Sequence, residues 1–430
     1  MKRYLFALLT LACFAARAYA QTPQAQTTPT PQVTAIRAGR LVDPETGRES
    51  RNQIILVEGQ KIKAVGANVQ IPAGARVVDL SASTVLPGLF DAHTHLCMTV
   101  DLQRDAGNYY YTTLNDPDSF RAVQGVANAR AMLEAGFTTV RDVGNEGNYA
   151  CVSVARAVER GMIQGPTMLT AGRIIAPFGG QFGLQPNRRE LGEPEYFFAD
   201  TRDEMRKAVR ENAHFGARVI KIVVDDQRYI YSPEDIRLVI EEAKRAGLKV
   251  AAHCWTREGA HNAAEAGVAS IEHANHISDE DIQLAKRNNV TLVFTPFPEW
   301  VLKLFRQSPE GAAAEYRDEI DRLRAGHRAG ATIAFGTDAI DEIQKYTRGT
   351  QAMMWVDSYV AAGLAPRDIL KAMTTNAARL LGVEKERGAI APGMYADIVA
   401  TPADPLEDIG ALKQVSFVMK HGAVVKDERK

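Results

Sequence analysis

The stretch from Val219 to His253, VIKIVVDDQRYIYSPEDIRLVIEEAKRAGLKVAAH, decides the fold. It holds a short β-branched run, a helical pattern over Pro233 to Ala246 that stops at Gly247, and a second apolar run from Lys249 to His253. Strand, helix and strand in that order imply parallel strands joined by a helical crossover. The same unit recurs outward in both directions. Strands are expected near Val85 to His95, Thr138 to Val143, Thr167 to Ile175, Val219 to Val224, Lys249 to His253, Ser270 to His273, Thr291 to Phe294 and Thr332 to Gly336. Helices such as Arg121 to Glu134, Arg202 to His214 and Asp279 to Arg287 fill the gaps. Eight such units predict an α/β fold, a closed (β/α)8 TIM barrel over residues 87–387. An open doubly wound sheet is the competing arrangement, but it would normally carry a glycine-rich nucleotide loop that this sequence lacks.

On either side of the barrel the texture changes. Residues 33–86 hold short β-type runs, Gln53 to Glu58 and Lys61 to Val65, broken at Gly59-Gln60 and Gly66. Similar runs return over 388–430, in Gly388 to Val399 and Val415 to Met419 before the turn His421-Gly422. The two ends are therefore expected to build one small β-sandwich-like domain around the inserted barrel. Residues 21–32 are Gln, Thr, Pro and Ala without apolar periodicity and read as a flexible leader. Residues 1–20 read as a signal peptide, with Lys2 and Arg3, an apolar run from Tyr4 to Ala16, and Ala18-Tyr19-Ala20 before an expected cut at Gln21. The run is too short to span a bilayer, so a periplasmic or secreted protein is expected, without a membrane anchor in its mature form.

Cleavage there would remove three of 51 basic residues against 52 acidic ones, leaving a weakly acidic protein with no nucleic-acid partner indicated. Cys13 falls in the signal, and Cys97, Cys151 and Cys254 are widely scattered without metal-type spacing. Buried thiols are expected, not a disulfide framework.

In a barrel of this kind, chemistry sits at the carboxyl ends of the strands. His93 and His95 close the first strand, and side chains at i and i+2 share a face, so two imidazoles converge. They could be a metal pair or two satisfied structural histidines. Lys221 lies among apolar neighbours, where a bare ammonium is costly. Burial favours its neutral amine, which can add carbon dioxide and become a carbamate able to bridge two cations. Pairing with Asp225 or Asp226 is the other reading. His253 and His273 end the fifth and sixth strands, and Asp338 follows the eighth, where it could hold metal, move a proton or cap a helix. All five sites fall at one end of different strands, as a shared metal centre requires. Their nitrogen and oxygen donors suit zinc or manganese, zinc foremost.

His93-Thr-His95, Lys221, His253, His273 and Asp338, in this order and on these strands, resemble the binuclear branch of the amidohydrolase superfamily. Asp79-Leu80 with Leu86 to Asp91, and Ala391 to Asp397, also look like that family's domain joins. Thr138 to Gly144 and Ile271 to Asn275 look like its prolidase-like carboxypeptidases, and the chain is similar to bacterial amidohydrolases that hydrolyse ochratoxin A. The resemblance implies two divalent metals: His93, His95 and Asp338 on one, His253 and His273 on the other, and carboxylated Lys221 between them. It implies attack by a metal-bridging hydroxide on the amide of an N-acyl amino acid or dipeptide with a free C-terminal carboxylate. Asp338 would move the proton, and Tyr231 would polarise the carbonyl, with Tyr229 an equal-looking neighbour. Where many relatives have Gly-Gly-His, this chain has Gly179-Gly180-Gln181, so Gln181 is expected to line the substrate pocket, with His276 near its mouth. His214, His261, His327 and His421 are expected to be structural or on the surface. A small-molecule substrate and a homo-oligomer are expected. The alternatives are a cyclic amide hydrolase of the hydantoinase or dihydroorotase kind, and a secreted binding protein without turnover.

Overall fold

The computed structural model describes residues 33–305 and 308–429. The expected signal peptide and leader lie outside them. Four strands come first: β1 (Val33–Asp43), β2 (Arg48–Glu58), β3 (Lys61–Gly66) and β4 (Arg76–Pro87). The barrel follows with β5 (Leu89–Thr94), β6 (Phe137–Asp142), β7 (Thr167–Thr170), β8 (Ile174–Ala176), β9 (Tyr196–Phe198), β10 (Ile220–Val223), β11 (Val250–Cys254), β12 (Ser270–His273) and β13 (Thr291–Val293). The chain closes with β14 (Ile398–Thr401), β15 (Phe417–Lys420) and β16 (Ala423–Asp427).

The outer strands form one sheet in the order β16-β15-β14-β4-β1-β2-β3. Its far edge returns toward its middle, because Ile62 and Gly393–Met394 exchange backbone hydrogen bonds just before β14. The expected sandwich is thus a single rolled sheet. Both chain ends share its core, with Ile36, Ile55 and Val85 packed against Ile398, Phe417 and Met419. β4 and β5 are separated only by Gly88, whose N–H donates to the Asp397 carbonyl.

In the barrel every strand pairing is parallel. The third strand is broken. β7 pairs with β6 and β8 with β10, the chain turning between them at Gly172 with φ +69°. The eighth strand makes one ladder bridge, Ile333 to Leu292, yet it closes the ring: Ala334 N–H donates to Leu292 O, and Ala92 N–H to Phe335 O. Gly336 permits that approach, since a Cβ there would come within 2.4 Å of Val293 Cγ1 and 2.8 Å of His93 Cβ. Helices begin where caps allow. Thr201 and Ser232 head capping boxes before Arg202–Phe215 and Pro233–Arg245, and Pro233 supplies the first helical φ. Two helices, Glu299–Phe305 and Pro309–Arg328, stand between β13 and the eighth strand. Among the described residues no helix is long and apolar enough to cross a membrane, and Cys97, Cys151 and Cys254 are buried free thiols.

Candidate active site

Strand alternation delivers His93 and His95 to the same barrel end, with ring centroids 5.3 Å apart. His273, at the end of β12, lies 4.7 Å from His93 and 4.6 Å from His253 at the end of β11. Four imidazoles therefore form one cluster. Each of three uses its Nδ1 on an outer partner: His93 on Glu272 Oε2 at 2.7 Å, His95 on the Gly144 carbonyl at 2.6 Å, and His273 on Thr295 Oγ1 at 2.8 Å. A carboxylate or carbonyl beside Nδ1 places the proton there and leaves Nε2 as a lone pair for a ligand. His93 Nε2 is buried with no hydrogen-bond partner. His253 Nε2, 2.9 Å from Asp226 Oδ2, likewise makes no well-angled hydrogen bond.

Glu272 is itself held. Arg141 donates to its Oε1 at 2.7 Å, Ser270 donates to the same oxygen, and burial is outweighed by Arg141 and His93, which keep the carboxyl far below the usual range. Burial, then the charge of Lys221, lowers the His93 pKa to about 4, so the ring is neutral at ordinary pH. Burial also lowers Lys221 to about 8, against the pull of Glu272 and Asp338. Asp338 sits between the rings, with Oδ1 3.3 Å from His95 Nε2 and 3.7 Å from His93 Nε2, and Oδ2 3.9 Å from His273 Nδ1. Burial raises its carboxyl, but the hydrogen bond with His95 leads the contributions that more than reverse that and lower it. Three side chains here depend on left-handed backbone: Asp226 (φ +90°), His273 (+62°) and Asp338 (+56°). Such conformations in non-glycine residues are costly and gather at functional sites.

The donor set fits metal. His93, His95 and Asp338 present ligand atoms within 4.8 Å of one another, as do Asp225, Asp226 and His253. Asp225 is already spent on Trp255 N, Thr256 N and Thr256 Oγ1, whereas Asp226 turns its Oδ2 toward His253. Lys221, 2% exposed, faces the same cavity. That cavity, about 260 Å³, has Tyr109, Trp255, Phe294, Phe297 and Phe305 among its walls.

Gln181 is on the wall, accepting from Tyr196 Oη at 2.9 Å and donating to Asp226 Oδ2 at 2.8 Å. His276 is exposed, its ring 6.1 Å from that of Trp255. Tyr231 must be corrected. It is fully buried outside the cavity, and its hydroxyl donates to the Ala199 carbonyl at 2.7 Å, so it has no proton to offer a substrate. The chain has already turned back there toward the cap at Ser232. Tyr229 is exposed near Asp235 and does not replace it. Sequence reasoning missed Glu272 and Tyr109, and it read Asp226 only as a possible partner for Lys221. Glu272 immediately precedes a strand-end histidine, which was a usable signal; nothing local marked Tyr109.

Residues 84–425 match the Amidohydrolase family model. The chain belongs to that family. This amidohydrolase is 29% identical over 440 residues to an ochratoxinase of Aspergillus niger, spanning 92% of the chain and 87% of the relative. A crystal structure of a Xaa-Pro dipeptidase with bound methionine superposes with a TM-score of 0.81 at 27% identity, covering 92% of this chain and all of that one. An imidazolonepropionase of Alkaliphilus metalliredigens is 26% identical, over 87% of this chain and 90% of its own. These relatives make the amidohydrolase a hydrolase of C–N bonds acting on a small molecule.

Proposed function

We propose that this enzyme cleaves the amide bond of N-acyl amino acids or dipeptides that end in a free carboxylate, ochratoxin A among them. The observation that carries this reading is the ring of imidazoles around Asp338 and Lys221, with the Nε2 atoms of His93 and His253 left without a hydrogen-bond partner, at the base of an aromatic-walled cavity. The ochratoxinase and the Xaa-Pro dipeptidase supply the bond type.

In the mechanism, His93, His95 and Asp338 would hold one divalent metal and His253 and His273 a second, with Lys221 joining them as a carbamate; zinc suits the donors. Bound there, the metals would supply Lewis acidity toward the amide oxygen and lower the pKa of water. Glu272 and Gly144 orient His93 and His95 by accepting from Nδ1. Asp338, ionised and central, takes the proton of the attacking water on a carboxylate oxygen and returns it to the departing amine. The aromatic walls seat the acyl group and keep bulk water out.

The test is a screen of N-acyl amino acids and dipeptides with the metal-loaded protein, beside their methyl esters and carboxamides. Free acids should be preferred. Equal or faster turnover of the esters and amides, with free acids ignored, would instead favour a cyclic-amide hydrolase, the second reading that the imidazolonepropionase supports. The same proposal has the chain exported, cut before Gln21 and assembled as a homo-oligomer. N-terminal sequencing of exported material should begin at Gln21, and a mature chain keeping Met1 in the cytoplasm would defeat the export reading.

A further inference from the structure

A second group of ligand-type side chains lies off the histidine cluster. Asp142 ends β6, Glu146 sits in the loop that follows, and Cys151 stands in the first turn of the helix Ala150–Glu159. All three are buried, and one ligand atom from each lies within 4.8 Å of the others. Asp142 Oδ2 is used, accepting from Leu96 N–H at 2.5 Å. Its Oδ1 has no hydrogen-bond partner, and neither does either oxygen of Glu146, a residue only 1% exposed. Two carboxylates buried side by side are costly, and the Cys151 thiol and the backbone at Gly144 and Cys151 offset that only in part. The nearest cation is already committed: Arg121 pairs with Glu195 and donates to the Cys97 and Asn145 carbonyls. The buried Cys97 thiol is a neighbour of Cys151.

We propose that Asp142, Glu146 and Cys151 form a separate structural metal site that takes a thiophilic divalent cation of the zinc class. Calcium and magnesium demand six or more oxygens or retained waters, whereas few donors that include sulfur suit a four-coordinate ion. None of these three residues lines the cavity above the histidines, so the site is closed, as structural zinc sites are. Binding releases the Cys151 thiol proton to solvent and leaves thiolate and carboxylates facing a dication. The ion braces the first catalytic loop: Asp142 holds Leu96 N–H, and Gly144, two residues beyond Asp142, accepts from His95 Nδ1.

Cobalt reports on this site independently of turnover, because thiolate ligation adds an intense near-ultraviolet charge-transfer absorption that nitrogen and oxygen donors do not give. Chelator-stripped full-length protein titrated with cobalt should bind one equivalent beyond those held at the histidine cluster and develop that absorption. Cys151→Ser should abolish the band, Glu146→Gln should lose the extra equivalent, and Lys221→Ala should keep both. A parent that fills its histidine cluster with cobalt yet shows no thiolate band overturns the proposal. So does peptide mapping of the metal-loaded parent that recovers Cys97 and Cys151 as a disulfide. Should the Cys151 variant fail to fold, X-ray absorption of the zinc-loaded parent decides: a zinc–sulfur shell at about 2.3 Å is expected, and a shell of nitrogen and oxygen alone refutes the site.

Discussion

The barrel buries charge at both ends, and the two ends do it differently. Where the strands begin, Asp397 accepts from Lys420 at 2.8 Å, from Arg387, and from the His421 N–H at 2.8 Å, while Lys420 also reaches Thr167 Oγ1 at 2.7 Å. Every buried charge there meets an opposite one. Where the strands end, the outer rims of His93 and His95 are just as well satisfied, but the inner Nε2 atoms of His93 and His253 have no hydrogen-bond partner. Matched burial fixes a structure, whereas burial that leaves lone pairs facing one another calls for something to close it.

The sharpest way to break this contrast is Lys221→Ala. Turnover should fall by several kcal/mol of barrier, about a thousandfold or more, and metal content should fall with it. Acetate or propionate should partly restore both by filling the space of the carbamate. Two retained metals and near-normal turnover, together with an unmodified Lys221 in the parent, would place this lysine with the structural charges. At the other end, Asp397→Asn should cost about 3 to 5 kcal/mol of stability by stranding Arg387 and Lys420, read by denaturant unfolding. Its kcat per folded molecule should not change; a specific loss of kcat would erase the distinction between the ends. Glu272→Gln sits between the two cases. It should weaken metal affinity about 10- to 100-fold through a less firmly held His93, measured by competition with a chelator. Tyr231→Phe is the smallest, about 1 kcal/mol of stability for one lost hydrogen bond, with kcat/KM intact. A large fall in kcat/KM would return Tyr231 to the reaction.

How much of this was legible follows from the range of the forces involved. Apolar runs alternating with helical patterns are local, and β6, β10, β11 and β12 lie close to where the sequence puts them. Histidines at strand ends were visible for the same reason, since a barrel carries strand ends to one rim. Tyr231 failed because its distance from a strand end said nothing about the backward turn that gives its hydroxyl to Ala199. The break at Gly172 needed a left-handed φ that no run of apolar residues announces. Asp226 looked like a counter-charge for Lys221, and only the fold brings it to His253. The cluster of Asp142, Glu146 and Cys151 could not be read from spacing, because Cys151 arrives on a helix rather than a strand.

The helical excursion between β13 and the eighth strand has a consequence for how such an enzyme changes its diet. Leu302, Phe305, Glu315 and Glu319 of the cavity wall all come from it, while Lys221 lies within β10 and the histidines and Asp338 come from strand ends. The chemistry is thus written into the scaffold and part of the selectivity into an appendage. A lineage, or an engineer, can exchange the appendage for another of different shape and inherit a working reaction centre with a new clientele.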